Sequence, residues 1–420
     1  MKAIIMAAGN GVRMWPLTET RPKCLLPVAG KPITYHQIKE LMAAGVNEFV
    51  FVVREKKEQI IAYVSSLQQQ FGFRLFVVEQ GKENGTAAAL LSAEGKVDDT
   101  FIVVAGDLLF DSSIIKKLLE THKAGGNNIT VALKKVDKPE KYGIVDVVDG
   151  RISYIEEKPK NPRSNLANLS IYCMEPSVFE RLNDIKPSSR GEYEITDILV
   201  GAKAIEVEGY WWDVGYPWDL LEANKEMLAR LEPKAGDIQN STIIGKVIME
   251  EGARIINSYV EGDVYIGKNT IIGPNAYIRG PTSIGDNCCI GESVTVKESV
   301  IFDEVDAKHL AYIGDSVIGR NVNFGAGTQL ANFRFDEGNV NVSTERGWVN
   351  SGRRKLGAIV GDNVKFGVLA SVMPGKLIGP NCWIHSGVVV NRNVPSGLYV
   401  FVQQQLGFRK ISELGKKQSD

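Results

Sequence analysis

The chain has 420 residues, 44% of them hydrophobic and 24% charged, and a formal net charge of -1. That is too long for one ordinary core, so two domains are expected, and the composition excludes a disordered or fibrous chain. The near-neutral balance excludes nucleic-acid or membrane binding by bulk electrostatics, though a local basic phosphate site remains compatible with it.

Taken from the N-terminus, Met1 to Ala8 is apolar but too short for a signal peptide, and it runs into Gly, Arg and Pro. No later run is long enough to span a bilayer. The five cysteines, Cys24, Cys173, Cys288, Cys289 and Cys382, match neither a zinc spacing nor a redox pair. Together these features point to a reducing, cytoplasmic setting.

Residues 1–232 read as alternating strands and helices. Lys2 to Ala7 is a buried strand, Ile33 to Ala44 a helix, and Glu48 to Val53, Leu75 to Glu79 and Phe101 to Ala105 are further strands. Pro217 to Leu231 is helical in pattern and stops at Glu232-Pro233. This order predicts a mainly parallel sheet with helices on both faces.

Residues 233–400 change texture. Val260, Ile266, Ile272, Ile278, Ile284, Ile290 and Val296 recur every six residues, and Gly follows at 267, 273, 285 and 291. Tyr312, Ile318, Phe324 and Leu330 form a second run; a third extends from Val360 to Val390. A period of six is the hexapeptide signature of a parallel β-helix, with each aliphatic residue pointing into the prism. Residues 297–311 and 331–359 interrupt the pattern, which predicts two loops leaving the prism. Residues 401–420 read as a polar tail and cap.

Glycines in Ala8-Gly9-Asn10-Gly11 let backbone N–H groups approach phosphate oxygens. Arg13 and Lys23 flank the turn as cations: a guanidinium that forks two oxygens, and a point charge. A third glycine at the dinucleotide spacing is missing, so a nicotinamide or flavin site is not indicated.

The run Gly9-Asn10-Gly11-Val12-Arg13-Met14-Trp15-Pro16-Leu17-Thr18, followed by Pro22-Lys23, resembles the sugar nucleotidyltransferase family motif G-x-G-x-R-x-x-P-L-T with its later P-K. The resemblance implies nucleotide contacts at Ala8, Gly9, Gly11, Arg13, Gln80, Gly85 and Thr86, and sugar-phosphate contacts at Gly143, Glu157, Lys158 and Asn168. It implies a metal site at Asp107 and, through Trp211-Trp212-Asp213-Val214-Gly215, at Asp213. Two carboxylates suit Mg²⁺, which takes few protein ligands besides phosphates and water. In this chemistry a sugar phosphate oxygen attacks the α-phosphorus of a nucleoside triphosphate and pyrophosphate leaves, so positioning and charge neutralisation do most of the work.

His309 lies in the first interruption of the repeat, and Arg279 and Lys297 occupy slots where the repeat usually has Gly. His309 to Asp315, with Asn321 to Thr328, resembles the acetyltransferase domain of bifunctional amino-sugar-1-phosphate enzymes. That resemblance implies His309 as base, Tyr312, Asn323 and Asn332 at the sugar, Arg279 and Lys297 at its phosphate, and the Ala326 N–H at the acetyl-CoA thioester. The stretch Asn332-Phe333-Arg334-Phe335-Asp336-Glu337-Gly338 lacks the Lys of the bacterial enzymes and is similar to the archaeal-type branch.

The implied fold is α/β, a Rossmann-like nucleotidyltransferase domain followed by a left-handed parallel β-helix of hexapeptide repeats. The implied activity is nucleotidyl transfer from UTP or dTTP to N-acetylglucosamine 1-phosphate or glucose 1-phosphate, with N-acetylation of glucosamine (or galactosamine) 1-phosphate. Two other readings stand beside it: a nucleotidyltransferase alone, including a mannose-1-phosphate guanylyltransferase with a structural β-helix, and a scaffold resembling translation-initiation exchange factor subunits. Threefold prisms pack side by side, so a homotrimer is expected.

Overall fold

The computed structural model describes residues 1–188 and 191–411. Its first half contains β1 (Lys2–Met6), α1 (Ile33–Ala43), β2 (Glu48–Val53), α2 (Lys57–Phe71), β3 (Arg74–Glu79), α3 (Thr86–Leu91) and β4 (Phe101–Ala105). It continues through β5 (Leu108–Phe110), α4 (Ser112–Lys123), β6 (Ile129–Lys135), β7 (Gly143–Val148), β8 (Arg151–Glu157) and β9 (Leu166–Met174). The last elements are α5 (Val178–Asn183), β10 (Lys203–Glu206), β11 (Trp211–Asp213) and α6 (Asp219–Arg230).

Nine strands form one sheet in the order β3-β2-β1-β4-β9-β6-β10-β8-β7. The period of two along β1 sends Ala3 and Ile5 to one core and Ile4 to the other. Ile38 of α1, Ile60 of α2 and Ile114 of α4 pack on the first face; Leu90 of α3 and Phe179 of α5 pack on the second. The expectation of a mainly parallel sheet holds from β3 to β4; beyond it the sheet is mixed, with β10 parallel to β6. Strand β9 runs antiparallel to both β4 and β6, and β8 runs antiparallel to both β10 and β7. Apolar runs report burial, not strand direction, so the reversal left no mark in the periodicity.

The chain after the glycine pair forms three short 3-10 turns, Val12–Met14, Leu17–Glu19 and Lys23–Leu25, rather than a helix. Pro16 and Pro22 lack N–H donors and fix φ, which keeps each turn short.

From Asp237 onward, nine, eight and seven short strands stack into three parallel ladders, the faces of a left-handed β-helix. The six-residue aliphatics from Val260 to Val296 and from Val360 to Val390 all enter one apolar core. Arg254 pairs with Ile271, Ile271 with Cys289 and Cys289 with Asp306, so one coil takes 17 or 18 residues. This corrects the first expected interruption: residues 297–311 stay in the ladders, and the phase shift is a coil one residue shorter. It also corrects the second run, because Ile313, not Tyr312, points inward. The second interruption is real. The register steps 42 residues from Asn323 to Lys365, and the excess carries a hairpin, β12 (Asn341–Thr344) with β13 (Gly347–Asn350).

Asparagines in left-handed conformation turn one corner of the prism. Asn321 donates to Asn363 and Asn363 to Asn381, each at 3.0 Å. Tyr399–Val400 closes the last coil on Trp383–Ile384, and Phe401 stacks on Tyr399. Residues 401–410 form neither strand nor helix, and 412–420 of the expected tail lie outside the described residues.

The halves share a core. Met14, Leu17 and Leu26 of the glycine-led loop, with Leu221 of α6, pack against Phe302 and Leu377 of the β-helix. All five cysteines are free, and no described helix is long and apolar enough to cross a membrane.

Candidate active sites

Strands β1, β2 and β4 run parallel and end at the same edge of the sheet, where open α/β folds take ligands. Ala8 is buried there, while Gly9 and Asn10 are exposed beyond it. Gly11 sits at φ 64°, and its carbonyl accepts from Thr18 Oγ1 at 2.8 Å. A β-carbon on Gly11 would meet Thr18 Cγ2 at 3.0 Å, so the tight loop needs glycine there.

Lys23 pairs with Asp107, which follows β4. The antiparallel β5–β11 ribbon sets Asp213 opposite Leu108, and Val214 N donates to the Asp107 carbonyl at 3.2 Å. Burial works against ionisation of Asp107, but Lys23 and then Arg13 outweigh it and hold the carboxyl below its usual range. Asp213 goes the other way. Burial and the neighbouring Asp107 charge raise it, against the pull of Lys23, Arg13 and Lys158. Two carboxylates whose like charge is only partly compensated fit a divalent cation with phosphate and water as its other ligands. Among the described residues no cluster of three or more His, Cys, Asp or Glu forms a metal cage.

The other predicted residues of this half fall around the same edge. Gln80 is buried and donates to the Glu83 carbonyl at 2.8 Å. Gly85 is at φ 116°, and a β-carbon there would lie 2.1 Å from the Tyr193 carbonyl, a backbone clash. Thr86 opens α3 and accepts from Ile195 N at 3.0 Å. Gly143 pairs with Glu157 across β7 and β8, and a β-carbon on Gly143 would reach Glu157 Oε2 at 2.7 Å and Asn168 Cβ at 3.9 Å. Asn168 is buried and donates to Tyr172 OH at 3.0 Å. Lys158 N donates to the Tyr142 carbonyl at 3.0 Å. Beside Arg13, the tip of the β12–β13 hairpin and Tyr216 enclose a cavity of about 30 Å³ that both halves line.

On the β-helix, Arg279, Lys297 and Gly314 follow one another up a ladder. Lys297 is buried; it donates to Asp315 at 3.0 Å and lies 3.1 Å from Glu298. Burial opposes its charge, yet those two carboxylates keep its pKa above the usual lysine value. Asn332 donates to Tyr312 OH at 3.1 Å and to Asp315 at 2.5 Å. Arg279 is exposed, 3.8 Å from Glu298. A side chain on Gly314 would strike Tyr312 OH at 2.5 Å.

His309 stands on the neighbouring face, exposed, with Glu292 3.8 Å from Nδ1. Gly327 N donates to its carbonyl at 3.3 Å, and among the described residues the adjacent Ala326 N–H has no acceptor. Within one chain, then, the predicted residues form two groups on either side of the corner at Leu310. Lys297 and Asn332 meet at Asp315, and Asn332 also holds Tyr312; His309 and Ala326 neighbour each other; Asn323 is exposed on the His309 face, one coil from Asp306. His36 and His122 are buried and hydrogen-bonded, His36 to the Val28 carbonyl and His122 to Thr130 and Glu175, as structural residues are.

Sequence reasoning passed over Asp315 and Asp219. Asp315 lies one coil above Lys297, a spacing readable once the coil length is known. Asp219 accepts from Gly215 N and Tyr216 N at 2.9 and 2.7 Å and so fixes the turn after Asp213. Nothing in its local pattern separates it from an ordinary first-turn helix acid.

Residues 2–230 match the nucleotidyl transferase family model, 260–368 a GMPPB C-terminal domain, and 357–392 a hexapeptide repeat of succinyl-transferase. The chain is 41% identical to the bifunctional protein GlmU of Methanocaldococcus jannaschii, over 98% of this chain and 100% of that protein. It is equally identical to a bifunctional sugar-1-phosphate nucleotidylyltransferase/acetyltransferase of Sulfurisphaera tokodaii, over 94% of this chain and 99% of that one. A solved structure described as a glucose-1-phosphate thymidylyltransferase from Bacillus anthracis superposes with a TM-score of 0.50 at 34% identity, covering 56% of this chain and 98% of that one. With the paired carboxylates at the sheet edge and the cluster on the prism, these likenesses make the chain an enzyme of the nucleotidyl transferase family, in its bifunctional sugar-1-phosphate nucleotidylyltransferase/acetyltransferase group.

Proposed function

We propose that the chain N-acetylates glucosamine 1-phosphate with acetyl-CoA and then transfers a nucleotidyl group from UTP or dTTP to the resulting N-acetylglucosamine 1-phosphate, releasing pyrophosphate. Glucose 1-phosphate is a further acceptor in the second step. The observation that carries this reading is that one chain holds both Lys23–Asp107 with Asp213 and Lys297–Asp315–Asn332 with Tyr312.

In the nucleotidyl half, Gly9 and Gly11 bring backbone N–H groups to the triphosphate, and Arg13 and Lys23 neutralise charge that grows at the α-phosphorus. Gln80, Gly85 and Thr86 read the base; Gly143, Glu157, Lys158 and Asn168 hold the sugar phosphate. Asp107 and Asp213 are the residues that would hold Mg²⁺, which supplies positive charge against the triphosphate when bound.

In the acetyl half, Arg279 and Lys297 hold the sugar phosphate, and Tyr312, Asn323 and Asn332 orient the ring. Glu292 beside Nδ1 favours the His309 tautomer whose Nε2 takes the amine proton. The unpaired Ala326 N–H receives the thioester oxygen. Because the two groups face opposite sides of a corner, a homotrimer that seats another prism at that corner completes the site. The division is 1–232 for nucleotidyl transfer, 233–400 for acetyl transfer and 401–420 as tail; the setting is cytoplasmic.

The test crosses UTP, dTTP and GTP with N-acetylglucosamine, glucose and mannose 1-phosphates, and follows CoA release with glucosamine 1-phosphate. Pyrophosphate release from UTP or dTTP, together with CoA release, is expected. Turnover of GTP with mannose 1-phosphate alone overturns the reading, and so does the absence of all turnover.

A further inference from the structure

Thr20 and Arg21 immediately precede Pro22-Lys23, and both end on a residue of the other half of the chain. Asp362, on a corner of the β-helix, accepts from Thr20 Oγ1 at 2.7 Å and from Arg21 Nη2 at 2.5 Å. Its second oxygen accepts from Arg320 N at 2.7 Å, which fixes the carboxylate to the prism. Asp362 is buried, and the Arg21 guanidinium lies 4.8 Å from the centre of the Phe302 ring, another β-helix residue. Among the described residues Arg21 Nε is buried without an acceptor, and the guanidinium forms its salt bridge with Asp362. Glu19 is held in the same manner, by Ser396 of the β-helix at 2.5 Å. The loop's underside, Leu17 and Leu26, is packed on Phe302 as well.

The consequence falls on Lys23. Two short 3-10 turns broken by prolines have too few internal hydrogen bonds to fix that lysine against Asp107 by themselves. Nucleotidyl transfer depends on placing charge to within a fraction of an ångström, where small displacements cost orders of magnitude. Resting on the nucleotidyl-transfer reading above, we infer that Asp362 of the β-helix is a positioning residue for that reaction: through Thr20 and Arg21 it sets Lys23 at the α-phosphorus. The β-helix is then part of the nucleotidyl machinery as well as the platform for the second site.

The experiment uses the full chain with Asp362→Asn, which keeps one acceptor oxygen for Arg320 N and puts an uncharged amide NH2 where Thr20 and Arg21 now meet a carboxylate oxygen. The expected result is a fall in kcat for pyrophosphate release of about 10- to 100-fold. KM for the nucleotide should move less than about threefold, because the substrate-touching groups remain. CoA release from glucosamine 1-phosphate stays at the wild-type rate. Asp362→Glu restores part of the lost kcat, and adding Asp362→Asn to Arg21→Ala costs little beyond Arg21→Ala alone. A kcat within about twofold of wild type overturns the inference, as does an equal loss of both activities, which marks general misfolding. Wild-type chain without pyrophosphate release overturns the nucleotidyl-transfer reading and this inference with it; active wild type beside an unaffected variant removes the inference alone.

Discussion

Lys23 and Asp107 close an ion pair between the loop that follows β1 and the end of β4, two strands that lie side by side in the sheet. Burial pushes the Asp107 carboxyl up, but the pair with Lys23 outweighs it and keeps the carboxyl below its usual range. Asp107→Asn should lower kcat for pyrophosphate release by at least about 100-fold without unfolding the chain, since the amide has the carboxylate's shape and its oxygen still accepts from Lys23. Circular dichroism and a pyrophosphate assay decide it; a variant with near-normal turnover would show that this carboxylate does not serve the reaction.

The second activity separates from the first at His309. Its side chain is exposed and makes few contacts, so His309→Ala should fold normally and keep full nucleotidyl transfer. CoA release with glucosamine 1-phosphate should drop about 100- to 10,000-fold, the usual range for a general base. Equal CoA release by wild type and variant would remove His309 from the mechanism.

Gly314 offers a test in which no polar group is deleted. The added methyl of Gly314→Ala would press on Tyr312 OH and on Asn332 Nδ2 at 2.7 Å. Overpacking of this kind costs about 1–3 kcal/mol. If it falls on the sugar-binding geometry, kcat/KM for glucosamine 1-phosphate drops roughly tenfold or more while pyrophosphate release is unchanged. Normal steady-state constants in both assays would show that neither side chain takes part in binding the sugar.

Asp219 predicts a pH dependence. Burial is the main cause of its rise from the usual 3.8 to about 6, partly offset by the N–H groups of Tyr216 and Gly215 and reinforced by Asp213. The folded chain therefore binds this proton more tightly than the unfolded chain. Its stabilising contribution is fully present below the unfolded value and is lost as pH rises through about 6. The cost at neutral pH is about 3 kcal/mol at most. Asp219→Asn removes the ionisation, so its melting temperature should gain on wild type between pH 4 and pH 7. A difference that stays flat with pH would refute the assignment.

Much of this was legible before any coordinates. The period of six marked the inward residues from Val260 to Val296 because each must fill the prism, and the unbroken apolar run from Ala3 to Ala7 marked a buried strand. Spacing around Gly9, Gly11, Arg13 and Lys23 pointed to phosphate chemistry because only a glycine-led turn brings backbone and cations to one anion. What stayed hidden depends on long-range pairing. The reversed direction of β9, the place of Tyr312 outside the prism, and Asp315 above Lys297 follow from which strand lies beside which. Arg21 and Asp362 are 341 residues apart, and no local pattern encodes such a contact.

The asparagine corner has one more consequence. Asn321 and Asn363 make the same side-chain bond as Asn363 and Asn381, although the first step crosses 42 residues and the second 18. The prism therefore does not register how much chain leaves it between those coils. Residues can be added or removed at the hairpin tip without altering the distance or rotation between coils below and above it. A fluorescent tag or a short peptide inserted after Glu345 should leave the corner bonds intact while reporting on the space above Arg13.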